Sequence, residues 1–373
     1  MDPITAATHA DPYPYYATLR AGDGLHFDPH LNLWIASSAE AVCAVLHHPD
    51  CHVRPAHEPV PKAIAGGPAG QVFGCLMRMN EGERQRCPRA AIAPGLQDID
   101  PLHVEALVKA RLLRNGAEGI HQAQFIGPVS VVAQLLGFNP TDSHLLSELT
   151  GDFVACLSPL SQAPQLEAAH RASEQLARLF QERIVAQDNP LLNGICQGFE
   201  DSVPDSRIAN LIGLLSQTYE ATAGLIGNAL LALIRDPALH HVLRGNPTQI
   251  SRLLAEVQRF DPAVQNTRRF IAAPCEILGT ALQQGDVVLV LLASANRDPQ
   301  LNPQPDALLL DRPNRRSFSF GSGRHECPGR ALAMAIAQAT LAAILEREQG
   351  LDQLAWHFRP SANGRIPLFS DRK

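Results

Sequence analysis

The chain has 373 residues, 45% of them hydrophobic and 18% charged, with a formal net charge of −6. That balance implies a globular protein with a large core, and it speaks against nucleic acid or an anionic membrane as a default partner. Of the 31 basic residues only Lys62, Lys109 and Lys373 are lysines, so positive charge is almost entirely guanidinium, the group suited to bidentate carboxylate contacts. Cys43, Cys51, Cys75, Cys87, Cys156, Cys196, Cys275 and Cys327 show neither CxxC nor zinc-site spacing, and all but Cys327 read as buried or neutral thiols in a reducing compartment. Met1 to Thr5 has no basic or apolar leader character, and no apolar run approaches about 18 residues. The expectation is a cytoplasmic protein without a membrane anchor.

In chain order, a short helix is predicted over Tyr13 to Arg20. A hairpin follows, with Leu25-His26-Phe27 and Leu33-Trp34-Ile35 either side of Asp28-Pro29-His30. Ser38 is an N-cap candidate for a helix running to about His48. The proline- and glycine-rich stretch 52–75 reads as a long loop of the functional kind. From about 81 to 350 the pattern is mostly helical, with breaks expected at Pro140, Pro159 to Pro164, Asn189-Pro190, Pro204 and Pro237. Ile184 to Asp205 reads as a mobile surface segment. Strands are expected late, over Arg269 to Leu278 and Val287 to Leu292. A hairpin is expected around Asn363 to Leu368. Neither repeats nor linkers stand out, so residues 1–373 read as a single domain.

The most informative stretch is Phe320-Gly321-Ser322-Gly323-Arg324-His325-Glu326-Cys327-Pro328-Gly329. Glycines at 321, 323 and 329 permit backbone angles and close approaches that a Cβ would block. The helix-forming run Ala331 to Leu345 follows, so Cys327 sits just before a helix N-terminus, which favours a thiolate. A buried cysteine in a glycine-rich loop is the plainer alternative. Phe320, His325 and the three glycines speak against it. The stretch resembles the haem-binding loop of the cytochrome P-450 family, in which a cysteine thiolate is the proximal iron ligand. The resemblance implies haem b (iron protoporphyrin IX) as cofactor, Cys327 as metal ligand, and Phe320, Gly321, Gly323, His325 and Gly329 as its cradle.

Other constellations match the same family. Glu256 and Arg259, three apart on a helix that must stop near Asp261-Pro262, can pair along one face. They resemble the family's ExxR structural ion pair. Arg269 matches the strand arginine that clamps a haem propionate, and Gln85 with Arg89 fits the spacing of an amino-terminal propionate pair, with Arg84 and Arg86 as alternative offsets. Pro88 is odd there, because an interior proline removes a helix hydrogen bond. Arg312, Arg315, Arg316, Arg324 and Arg330 form a basic cluster near the cysteine loop. It would suit an acidic ferredoxin or flavodoxin redox partner.

Leu214 to Arg235 reads as a long helix. In the family this helix carries an acid–threonine motif on the oxygen-binding side. Here the residues are Gln217-Thr218-Tyr219-Glu220-Ala221-Thr222, so Glu220 keeps the acid and Ala221 replaces the usual threonine. Proton delivery would then fall to Glu220 with Thr218 or Thr222, or to a substrate hydroxyl. The implied fold is mainly α with a minor β region, the family's triangular helical prism around haem. The implied activity is a monooxygenase acting on a small organic substrate, with neither nucleic acid nor membrane as partner. Two alternatives stay open: a non-hydroxylating haem-thiolate enzyme (peroxygenase, oxidative coupling, isomerase or dehydratase), and a haem- or ligand-binding protein without turnover.

Overall fold

Prolines that read as breaks are helix starts. In the computed structural model, which describes residues 1–111, 116–199, 206–347 and 350–372, helices Pro140–Ala155, Pro190–Gln197 and Pro237–Gly245 each begin on the proline. Their caps are Asn139, Asn189 and Asp236, whose side chains accept a backbone N–H from the first turn. Proline at that position gives up an N–H that had no partner anyway, and its fixed φ suits the helix. Pro204 lies outside the described residues. Helix Glu83–Gln97 even runs through Pro88 and Pro94, so the local cost of a missing hydrogen bond is outweighed by tertiary packing.

The described residues fall into two compact units, each built from separated pieces of chain. The first comprises Met1–His57, Gly224–Cys327 and Leu351–Phe369. It holds strands β1 (Leu25–Asp28), β2 (Leu33–Ala36), β3 (Cys51–His52), β4 (Thr267–Ile271), β5 (Cys275–Ile277), β6 (Thr280–Leu282), β7 (Val287–Val290) and β8 (Leu354–Phe358), while β9 (Pro367–Asp371) begins in it. Five of these form a sheet in the order β1-β2-β7-β4-β3, and β5-β6 and β8-β9 are separate pairs. The β1–β2 hairpin pairs Leu25 with Ala36, and β2 runs parallel to β7 with Ile35 opposite Leu289. Alternation then sorts side chains onto two covered faces. Ala36, Val288 and Val290 pack with Val42 and Val45, whereas Ile35, Leu289 and Leu291 pack with Tyr16.

The predicted strand Arg269 to Leu278 is really two. Leu278 and Gly279, both at positive φ, make the tight turn that folds β5 onto β6. Strand β9 starts at Pro367, later than the predicted hairpin, and Arg359 N–H bonds to the carbonyl of Ile366 ahead of it.

The second unit comprises Glu58–Ala223, Pro328–Gly350 and Ser370–Lys373. Its core joins Leu146, Phe153, Leu176 and Phe180 to Leu211, Leu215 and Ile336. Helix Arg330–Arg347 packs there against Pro101–Ala110. Two expectations change here. Part of the predicted loop is a helix, Pro68–Cys75, capped by Gly67. A Cβ on Gly70 would lie 2.2 Å from the carbonyl oxygen of Ile64, so the glycine that weakens helix propensity is what admits this packing. The supposedly mobile stretch after Ile184 contains helix Pro190–Gln197, with Leu192 and Ile195 fully buried.

Candidate functional site

The cysteine loop is closed by its own backbone. Cys327 N–H donates to the carbonyl of Phe320 at 2.8 Å, Gly321 N–H to Phe318 at 2.8 Å, and Glu326 N–H to Gly323 at 3.0 Å. Gly321 and Gly323 stand at φ +73 and +71, where a side chain is strained whatever the space. The loop is tied down from outside as well. Arg324 donates to the carbonyls of His48, Pro49 and Cys51, and Asn296 accepts from Phe318 N–H at 2.6 Å.

Cys327 is half-buried and in no disulfide. It lies three residues before helix Arg330–Arg347. Elsewhere, burial pushes the Cys51 thiol up to about 12 and the Cys156 thiol up to about 11, which leaves both inert. Among the described residues no group of three or more His, Cys, Asp or Glu side chains is placed to hold a metal.

Glu256 and Arg259, on helix Ile250–Phe260, are both 0% exposed and paired at 2.7 Å. The pair is larger than the sequence reading had it. Arg312 reaches the same carboxylate at 2.9 Å and Arg315 at 2.7 Å, and Leu309 N–H adds a bond of 3.1 Å. Burial alone would push the Glu256 carboxyl up. The hydrogen bonds and charges around it outweigh that and hold it below its ordinary range. Arg259 also donates to the carbonyls of Pro305 and Ala307, and Arg312 to Ala307, so the segment before the cysteine loop is strapped onto this helix.

Two of the five arginines assigned to partner docking are thus consumed internally, and Arg324 is a loop tether. Arg316 and Arg330 alone of that cluster are exposed. Charge spacing in a loop cannot reveal a buried acid more than fifty residues away.

Arg269 lies on β4, 5% exposed, with its guanidinium on the carbonyl of Arg268 and the hydroxyl of Thr267. His325 closes the single turn Gly323–His325 of the cysteine loop. Arg269, Glu256, Arg259 and Phe320 to Cys327 all belong to the first unit. Gln85, Arg89, Thr218, Glu220, Thr222 and Gly329 belong to the second. Gln85 is 5% exposed and Arg89 half-buried, one turn apart, whereas Arg84 and Arg86 are exposed.

The long helix starts earlier than predicted, at Ser206, and runs unbroken to Arg235. On it Gln217 and Ala221 are exposed, Thr218 and Glu220 half-buried, and Thr222 buried. Thr218 Oγ1 donates to the carbonyl of Leu214 at 2.8 Å. Thr218, Ala221 and Thr222 share a face by their three- and four-residue spacing. Glu220, two positions from each threonine, points to the other side. Asn296 lies in the stretch Ala293 to Pro299, which resembles the segment before the family's haem loop, and is 0% exposed. Its hold on Phe318 N–H is not legible from residue type.

A family model described as Cytochrome P450 matches residues 249–348, which contain Glu256, Arg259, Arg269 and the cysteine loop. "Putative cytochrome P450 133B2" of Xylella fastidiosa strain 9a5c is 30% identical over 271 residues, covering 69% of this chain and 68% of that protein. Cytochrome P450 monooxygenase PikC of Streptomyces venezuelae is 28% identical over 385 residues, 95% of this chain and 89% of its own. Among solved structures, P450BioI in complex with hexadec-9Z-enoic acid ligated acyl carrier protein has a TM-score of 0.82 at 24% identity, covering 96% of this chain and 97% of that one, a likeness of fold. The glycine-shaped cysteine loop, the buried Glu256–Arg259 pair and these relatives agree: the chain belongs to the cytochrome P450 family of haem-dependent oxidoreductases.

Proposed function

We propose that the 373 residues act as one domain, in the cytoplasm, as a haem-thiolate monooxygenase. It would insert one oxygen atom of dioxygen into a small organic substrate. The second oxygen atom leaves as water, with two electrons from a ferredoxin or flavodoxin and two protons. The observation that carries this reading is the closed loop that holds Cys327 with its amide fixed on Phe320. The PikC relative, named a monooxygenase, supports the reaction class. Haem b, when bound, supplies the dioxygen chemistry, and a thiolate ligand favours O–O cleavage.

The residues divide the remaining work. Cys327 Sγ would hold the iron. Arg269, His325, Arg89 and Gln85 would hold the propionates, for which an arginine–carboxylate bond is strong and directional. Thr218 would stand in for the missing hydroxyl, because it shares the face of Ala221. Its proton is engaged on Leu214, so it offers lone pairs that orient a water. Glu220, on the other side of the helix, would pass protons to that water from solvent, and Thr222 would join only through water.

Two measurements test this. Cys327→Ser should abolish the thiolate-type reduced carbon-monoxide spectrum while Cys51→Ser leaves it intact. With a substrate found by spin-state titration, Glu220→Gln and Thr218→Val should each divert electrons to peroxide and lower product per dioxygen about tenfold or more. Unchanged coupling in both variants would remove these residues from the path. The non-hydroxylating reading is favoured by one observation, the engaged Thr218 hydroxyl beside Ala221. Turnover with hydrogen peroxide and no reductant would establish that reading instead.

A further inference from the structure

Arg78, half-buried in the second unit, has no acid paired with it among the described residues. It sits on the single turn Met77–Met79, directly after helix Pro68–Cys75. Its Nε is closed to solvent and has no hydrogen-bond partner among the described residues. Burial pulls its guanidinium down to about 10, and no acid contributes to offset this. A donor closed to solvent without a partner costs free energy that a bound ligand would return.

The turn that carries Arg78 is rigidly mounted. Asn210 of the long helix, 2% exposed, accepts from Met77 N–H at 2.7 Å and donates to the carbonyls of Cys75 at 2.9 Å and Ser206 at 2.8 Å. Asn80 folds back to donate to Gly74 at 2.9 Å and Leu76 at 2.8 Å. Met77 and Met79 pack on the apolar cluster either side of Arg78. Two asparagine clamps on one turn hold the charge where a ligand would find it already in position.

We propose that Arg78 is a carboxylate-binding residue, engaging either a propionate of the haem or an acid group of the organic substrate. The planar guanidinium can meet a carboxylate with two parallel hydrogen bonds, which methionine cannot do and lysine does only as a point charge. The inference rests on the haem-thiolate reading, whose own check is the carbon-monoxide spectrum of the wild-type protein.

The test uses haem-loaded protein with Arg78→Met and Arg78→Lys, and it has two arms. The first follows haem transfer to excess apomyoglobin. A propionate role predicts transfer at least tenfold faster in Arg78→Met and intermediate in Arg78→Lys. The second arm titrates octanoate, dodecanoate and 4-phenylbutyrate against their methyl esters by the Soret spin shift. A substrate role predicts that the wild type binds at least one acid tenfold tighter than its ester, and that Arg78→Met loses this preference without weakening the ester. A merely structural role predicts a lower Tm in Arg78→Met, with haem transfer and the acid-to-ester ratio both unchanged. Unchanged values in both arms overturn the proposal, whatever the Tm does.

Discussion

Glu256→Gln is the sharpest perturbation this structure offers, because it keeps side-chain volume and deletes one charge. Arg259, Arg312 and Arg315 converge on that carboxylate at 2.7, 2.9 and 2.7 Å, and Glu256 is 0% exposed. The amide that replaces it would leave three guanidiniums, two of them almost wholly buried, without a counter-charge. Removing one member of a buried ion pair costs about 3–5 kcal/mol. At about 1.4 kcal/mol per factor of ten, the folded-to-unfolded ratio should fall by roughly two to three and a half powers of ten. Urea unfolding followed by far-ultraviolet circular dichroism, on haem-free and haem-loaded protein in parallel, reads the shift. A loss under about 1 kcal/mol, the size of a surface pair, would show that the arginines find other acceptors and that the network is not a brace. Arg315→Met is the internal comparison. That side chain is 17% exposed, and Glu256 would keep Arg259 and Arg312, so a cost of about 1 kcal/mol is expected. The pH dependence has a definite sign. The folded carboxyl lies below its ordinary value, so its stabilisation is present above the unfolded value and fades as pH falls through the folded one. The acid limb of stability should therefore be shallower in Glu256→Gln than in the wild type.

Gly323→Ala places a Cβ at φ +71 and 3.0 Å from the His47 ring. A cost of about 1–2 kcal/mol is expected, with lower haem occupancy per chain by absorbance. An unchanged occupancy would mean that the loop relaxes freely. Burial, reinforced by Asp261, pushes the Tyr13 phenol well above the tyrosine range, and burial does the same for Tyr16. Their folded forms favour the proton, so this stability is complete below the ordinary tyrosine value and is lost as pH rises beyond it. In an alkaline titration, Tyr13 and Tyr16 should therefore yield tyrosinate absorbance only as the circular dichroism signal of the fold disappears. Ionisation of all four tyrosines in a native chain would refute that.

Local chemistry made much of this protein legible. Helix Tyr13–Arg20, the β1–β2 hairpin and the Ser38 cap appear where residue type and spacing put them, because each depends on neighbours a few residues away. The same holds for Glu256 with Arg259, and for glycines whose backbone angles shape a loop within ten residues of Cys327. What spacing could not show was the far partner. Arg312 and Arg315 look like solvated loop charges until the chain folds them onto Glu256, more than fifty positions earlier. Gly70 looks like a helix breaker until the carbonyl of Ile64 closes on it. Arg78 looks like an ordinary surface residue until Asn210 fixes its turn and its Nε is closed to solvent. Residue type and spacing settle which groups carry charge, cap a helix or permit a tight turn. Tertiary structure alone decided which charges lose solvent and which partner replaces it, because the cost of burying an ion depends on everything that packs around it.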